Sequence, residues 1–241
     1  MQQESNPERA LTAVITGATK GIGRAAAEQF AAEGFDLCVC ARTAADLDAM
    51  QADWAKIFPG RQLFTHVADL SEKAAVLQFA DSIRRQWTQV DVLVNNAGVF
   101  LPGSMLDEPD GVLEQTMSVN LYAAYYLTRA LLPAMRPQRR GHIFNVCSMA
   151  SLKAKPGSGA YSVSKFALLG FSKNLREELK NEGIKVTALL PGSTWTASWE
   201  GSELPAERFV QAKDIAQAMW AAYRLSDSAV VEELIIRPQL G

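Results

Sequence analysis

Seven short apolar runs, LTAVIT, DLCVCA, QLFTHV, DVLVNNA, HIFNVCS, IKVTALL and EELIIRP, alternate along the chain with longer segments of helical periodicity. A strand that is apolar on both sides must be covered on both sides, and a helix after each strand supplies that cover while returning the chain for a parallel neighbour. The alternation predicts an α/β fold, a doubly wound parallel sheet of about seven strands with helices on both faces. The spans from Gly23 to Glu33, Ser71 to Trp87 and Tyr161 to Glu182 repeat apolar residues every three or four positions and are expected as helices. A chain of 241 residues, 48% of them apolar, is ordinary for one such domain. Residues 1–241 are accordingly read as one domain, residues 1–10 being a flexible polar tail.

The glycine-rich stretch TGATKGIG, Thr16 to Gly23, follows the first strand directly and enters a helix at Arg24. Glycines there allow a tight turn and a close backbone approach, and the helix N-terminus attracts an anion such as a pyrophosphate. A tight connection without a ligand would use the same glycines, so placement between strand and helix carries the weight. Dinucleotide folds ordinarily end the second strand on an Asp or Glu that binds the ribose hydroxyls. Here that strand ends Cys40-Ala41-Arg42-Thr43. With no carboxylate to repel a 2′-phosphate, and with Arg42 and Lys20 nearby, NADP(H) is favoured over NAD(H), unless both cations are merely solvated.

Tyr161 and Lys165 are four residues apart in a helical pattern, which places both side chains on one face. A tyrosine hydroxyl is ordinarily a poor base at neutral pH, and a neighbouring ammonium stabilises its phenolate. Such a pair can exchange a proton with a carbonyl or alcohol oxygen. Ser148 lies at the carboxyl end of HIFNVCS, where open parallel sheets bind ligands, and it can orient that oxygen. Asn120, in SVNLYAA, is out of place in an apolar helix and needs a partner, such as a water linked to Lys165. Taken singly, Ser148 reads better as a turn serine and Asn120 as a locally satisfied helix kink.

Together these motifs, with NNAG from Asn95 to Gly98, YSVSK and PGSTWT from Pro191, resemble the classical short-chain dehydrogenase/reductase family, in order and spacing across nearly the whole chain. The resemblance implies a Rossmann-type fold and a catalytic tetrad of Asn120, Ser148, Tyr161 and Lys165. In it Tyr161 is the acid/base, Ser148 orients the carbonyl, Lys165 also donates to the nicotinamide ribose, and Asn120 supports a proton-relay water. It further implies cofactor contacts at Gly17, Thr19, Lys20, Gly21, Ile22, Gly23, Arg42, Asp69, Asn95, Ala97, Gly98, Tyr161, Lys165, Pro191, Gly192, Thr194 and Thr196. Asp69 matches the adenine position, Asn95, Ala97 and Gly98 the adenosine side, and Thr196 the nicotinamide carboxamide. His66 and His142 have no place in this scheme and read as a strand residue and a turn residue.

The family resemblance makes residues 193–210 the substrate loop, whose Trp195, Trp199 and Phe209 either close over an apolar substrate or anchor the loop to the domain; Phe100, Leu101 and Leu152 are further candidate walls. NADPH is generally kept reduced in the cell, so the expected preference for NADP(H) favours reduction of a ketone or aldehyde. The pattern is similar to 3-oxoacyl-carrier-protein reductases, for whose acidic carrier Arg139, Arg140 and Arg176 are candidate docking residues, and also to sepiapterin- and carbonyl-reductase-like members. A non-catalytic NADP(H) sensor or scaffold is the alternative of another class, and an intact tetrad argues against it. A formal charge of −2 gives no reason to expect a nucleic-acid or membrane partner, and no metal-ligand spacing accompanies Cys38 and Cys40, which read as small core residues. Three cysteines, an odd number, and a polar start point to a reducing, cytoplasmic setting. The segments Leu121 to Met135 and Tyr161 to Phe171 are apolar on more than one side, which favours a homodimer or, by the family resemblance, a homotetramer.

Overall fold

The computed structural model describes residues 9–196 and 204–240. Each of the seven apolar runs forms a strand: β1 (Thr12–Thr16), β2 (Asp36–Ala41), β3 (Leu63–Val67), β4 (Val92–Asn95), β5 (Gly141–Val146), β6 (Ile184–Pro191) and, last in the chain, β9 (Glu233–Ile236). They pair in parallel in the order β3-β2-β1-β4-β5-β6-β9. Two short strands absent from the periodicity, β7 (Thr194–Trp195) and β8 (Val210–Gln211), pair with each other and close the base of the loop after β6.

The helices are α1 (Gly21–Ala32), α2 (Ala44–Ile57), α3 (Lys73–Gln86), α4 (Val112–Met117), α5 (Ala123–Met135), α6 (Gly159–Leu179) and α7 (Ala212–Tyr223). On one face of the sheet Phe30 of α1, Trp54 of α2 and Met219 of α7 pack over Ile15, Val39 and Phe144. On the other, Phe79 of α3, Leu131 of α5 and Leu179 of α6 pack over Val14, Leu93 and Ile143. Alternate residues of each strand thus feed opposite cores, which is why the runs are apolar without interruption. Cys38 and Cys40 lie on the second face as buried free thiols, and burial pushes the Cys38 thiol up to about 12.

Two expectations are corrected. The apolar stretch from Leu121 is not one helix: Ser118–Tyr122 form a π-helical turn that runs into α5. The widened turn lets Asn120 leave the helical register and find partners outside it. His142 is not a turn residue but lies inside β5, 1% exposed and stacked on Phe144 at 3.9 Å between ring centres. Its Nε2 meets Thr187 Oγ1 at 2.7 Å, and that hydroxyl donates to the Val231 carbonyl at 2.6 Å, so the ring must donate through Nε2–H.

Burial, with a smaller contribution from Lys185, holds His142 down at about 3. A histidine that stays neutral in the fold but protonates near 6.5 when unfolded stabilises the protein above pH 6.5 and loses that contribution as pH falls toward 3. The expected acid slope from this residue is about 1.4 kcal/mol per pH unit. Urea midpoints measured between pH 7 and 4 should fall more steeply for the wild type than for His142→Leu; parallel slopes would contradict the assignment.

Candidate active site

The chain crosses from β3 back past β1 to begin β4, so the helices after β1 and β4 diverge and leave a crevice at the carboxyl ends of the strands. The glycine turn fills its floor. Gly17 and Gly21 have φ of +64° and +56°, the left-handed region that side chains avoid. A Cβ on Gly23 would sit 2.3 Å from the Gly17 carbonyl oxygen, so only glycine lets α1 start this close to the turn. The result is a concave backbone cradle at a helix N-terminus, which fits the pyrophosphate expected from the sequence. Ile22 packs into the core beneath it, and Thr19 is half-buried at its rim.

Two residues that sequence reasoning missed hold the cradle in shape. Asn96 Nδ2 donates to the carbonyls of Thr16 and Gly17 at 2.9 and 3.0 Å, and the Thr16 hydroxyl accepts from the backbone N–H groups of Asn96 and Ala97. Asn95 points the other way. Its Nδ2 donates to Thr128 Oγ1 and Asn145 Oδ1, and Asn145 donates in turn to Ser172, all buried between the sheet, α5 and α6. The Asn95 side chain therefore belongs to a core network and not to the crevice, which leaves its main chain for the expected adenosine contact. The doublet at Asn95 and Asn96 carried a signal, because neighbours on a strand face opposite sides.

Lys165 is 4% exposed, and its Nζ donates to the Val146 carbonyl at 2.8 Å. The ammonium lies 5.8 Å from the centre of the Tyr161 ring, on the same face of α6. A methyl on Gly98 would come within 3.2 Å of Asn120 Oδ1 and 3.5 Å of Lys165 Nζ, so the exit of β4, the π turn and α6 converge at that glycine. Asn120 accepts from Val99 N–H and donates to the Val99 carbonyl and to Ser164 Oγ, at 2.7, 3.0 and 2.9 Å. Ser148 caps the short helix Met149–Ser151, its Oγ accepting from Ala150 N–H at 3.1 Å. That bond uses an oxygen lone pair and leaves the hydroxyl proton free to donate.

At the end of the crevice beside β2, Arg42 is exposed just beyond the strand, and Asp69 is near enough for the cation to help depress its carboxyl. The larger cause is the pair of hydrogen bonds that Asp69 accepts from Ser71 N–H and Oγ–H. Lys20 Nζ lies 3.1 Å from Asp46 Oδ2. Across the crevice Thr196 comes against the glycine turn, 3.0 Å from where a Gly21 Cβ would be. Pro191 ends β6, Gly192 is pressed on Pro238, and the Thr194 hydroxyl donates to the Gly192 carbonyl. Phe100, half-exposed, meets the Tyr161 ring edge-on at 5.0 Å, while Leu152 is exposed and Leu101 half-buried. Trp195 packs on Phe209 at 5.2 Å; Trp199 lies outside the described residues.

Residues 11–205 match the family described as short chain dehydrogenase. The chain belongs to the short-chain dehydrogenase/reductase family. It is an oxidoreductase on that ground. Sepiapterin reductase of Chlorobaculum tepidum is 35% identical over 237 residues, covering 95% of this chain and 96% of that protein. A 3-oxoacyl-[acyl-carrier-protein] reductase of Haemophilus influenzae is 32% identical over 90% of this chain and 91% of its own. Among solved structures, an alcohol dehydrogenase of Thermococcus sibiricus complexed with 5-hydroxy-NADP superposes with a TM-score of 0.88 at 26% identity, covering 97% of this chain and 98% of that one.

The cradle makes a sharp demand on one residue of this reductase-family fold. Gly23→Ala forces a Cβ onto backbone that has no room to yield, an overpacking expected to cost about 1–3 kcal/mol. A urea midpoint equal to wild type would show that the turn relaxes.

Proposed function

We propose that the chain works as one domain that reduces a ketone or aldehyde to an alcohol with NADP(H), in the cytoplasm. The reading rests chiefly on the buried Lys165 ammonium beside Tyr161, at the mouth of a backbone cradle. When bound there, NADPH supplies the hydride to the carbonyl carbon. Ser148 donates its free hydroxyl proton to hold the carbonyl oxygen, and Tyr161 Oη gives that oxygen the proton that completes the alcohol. Lys165 stabilises the phenolate left behind and has further N–H donors for the nicotinamide ribose. The side-chain amide of Asn120 is engaged with Val99 and Ser164, so it supports the proton-relay water by holding the π turn in place. Gly17, Gly21 and Gly23 take the pyrophosphate, Arg42 with Lys20 the 2′-phosphate, Asp69 the adenine, and Thr196 the far end. Thr19, Ile22, Ala97, Gly98, Pro191, Gly192 and Thr194 shape the walls between them. Three buried free cysteines accord with a reducing compartment, and no helix among the described residues is long and apolar enough to cross a membrane.

A small free carbonyl is favoured over a carrier-bound thioester. Arg139 and Arg140 precede β5 while Ser148 follows it, and Arg176 is near the far end of α6 from Tyr161. These arginines therefore lie at the opposite end of the sheet, about 17–22 Å along the strand or helix from the site mouth. Arg176 is also paired with Glu177 and Glu232. A panel of ketones, aldehydes and 3-oxoacyl thioesters, each assayed with NADPH and NADH, tests the reading. NADPH-dependent turnover of free carbonyls is expected, with Tyr161→Phe lowering kcat about 10²–10⁴-fold while NADPH still binds. Binding without turnover of any panel member would favour a sensor or scaffold.

A homotetramer or homodimer is part of the same reading. Tyr122, Tyr125, Val163 and Phe166 are exposed on the π turn, α5 and α6, and Val163 and Phe166 border an apolar groove of about 580 Å³ with Met105 and Leu106. Such a surface is larger than scattered apolar exposure and is ordinarily covered by a partner. Sedimentation equilibrium should report two or four chains, and Phe166→Glu should shift the population toward monomer.

A further inference from the structure

Each of the two cations assigned to the 2′-phosphate has a carboxylate in its neighbourhood, and Lys20 is bonded to its own. Arg42 faces Asp69, and Lys20 is paired with Asp46 in the first turn of α2, one turn beyond Arg42. Asp69 is accounted for, because its Oδ1 already accepts from Ser71 N–H and Oγ–H and its position fits the adenine. Asp46 has no role in the chemistry described above. Its side chain is 31% exposed, while the Lys20 side chain it holds is 64% exposed. A lysine on a flexible stem in contact with water changes partner at little cost.

We propose that Asp46 is a specificity-determining residue that competes with the cofactor 2′-phosphate for Lys20 and so limits the preference for NADP(H) over NAD(H). The proposal rests on the assignment of NADP(H) to this crevice. With no phosphate present, Asp46 neutralises Lys20. When a 2′-phosphate arrives, Lys20 must give up its ion pair with the carboxylate, and that loss is subtracted from the affinity for the phosphate. NAD(H) carries no group that asks Lys20 to move, so its binding is insensitive to the pair. The size of the effect is bounded by the weakness of an exposed ion pair, which corresponds to about a two- to fivefold change in affinity.

The test is equilibrium binding, by fluorescence titration with NADPH and NADH and by calorimetry with adenosine 2′,5′-bisphosphate, at fixed low salt. Asp46→Asn is expected to tighten NADPH and the bisphosphate about two- to fivefold and to change NADH less than about 1.5-fold. On a Lys20→Met background the gain should shrink below about 1.5-fold, since the competition runs through that lysine. Asp46→Glu keeps the charge and should stay near wild type, and thermal melts report whether each variant is folded. Unchanged or weakened NADPH binding in Asp46→Asn, or a gain that survives Lys20→Met, overturns the proposal while leaving the cofactor assignment intact. Wild-type protein that binds NADPH no tighter than NADH, with Arg42→Ala affecting both equally, overturns the assignment and the proposal with it.

Discussion

A buried ammonium organises this molecule. Lys165 lies almost fully out of water, and an unpartnered charge there would be strongly destabilising, so its hydrogen bond to the Val146 carbonyl is a structural necessity. Val146 is the last residue of β5 and Lys165 sits in the second turn of α6, so the bond pins the helix to the carboxyl end of the sheet. Tyr161, one turn earlier, is carried with it. The same constraint keeps Gly98 bare, since a side chain there would crowd both the ammonium and Asn120.

Around that bond runs a seam of polar groups in an otherwise apolar layer. Asn95, Thr128, Asn145 and Ser172 join β4, β5, α5 and α6, and Asn120 joins the π turn to Ser164 and Val99. Apolar packing is tolerant of small slides, whereas a buried hydrogen bond holds only at one register. The seam thus holds α5 and α6 at a defined height against the strands. The glycine turn is held by the same device: Asn96, just past the neighbouring strand end, donates to the Thr16 and Gly17 carbonyls, and the Thr16 hydroxyl accepts from Asn96 and Ala97 N–H. Both halves of the crevice are therefore braced from β4, the strand at which the sheet order reverses.

The fold was legible in the sequence because its signals are local. Each of the seven runs became a strand and each of the three marked segments a helix, since burial on two faces and a 3.6-residue period are written into neighbouring residues. The glycine turn, the Tyr161 and Lys165 spacing and the position of Ser148 were legible for the same reason. Reading stopped where the answer depends on which way a side chain faces or at which end of a strand it lies. Asn95 and Asn96 look equivalent in NNAG, yet the pleat sends one into the core and the other to the turn. His142 beside glycine and arginines looked like a turn and is a buried strand residue. Arg139 and Arg140 looked close to the site mouth and lie beyond the other end of β5.

What the sequence determined by itself is the alternation of strands and helices, the glycine turn that opens the first helix and the placing of Tyr161 and Lys165 on one helix face. What only the tertiary structure decided is the set of partners those residues meet: the carbonyl under Lys165, the brace on Asn120, the carboxylate that holds Lys20. The physical reason is distance along the chain. Asp46 is 26 positions from Lys20, and Val146 is 19 from Lys165. Such contacts are set by sheet order and helix packing, to which no local pattern of residues has access.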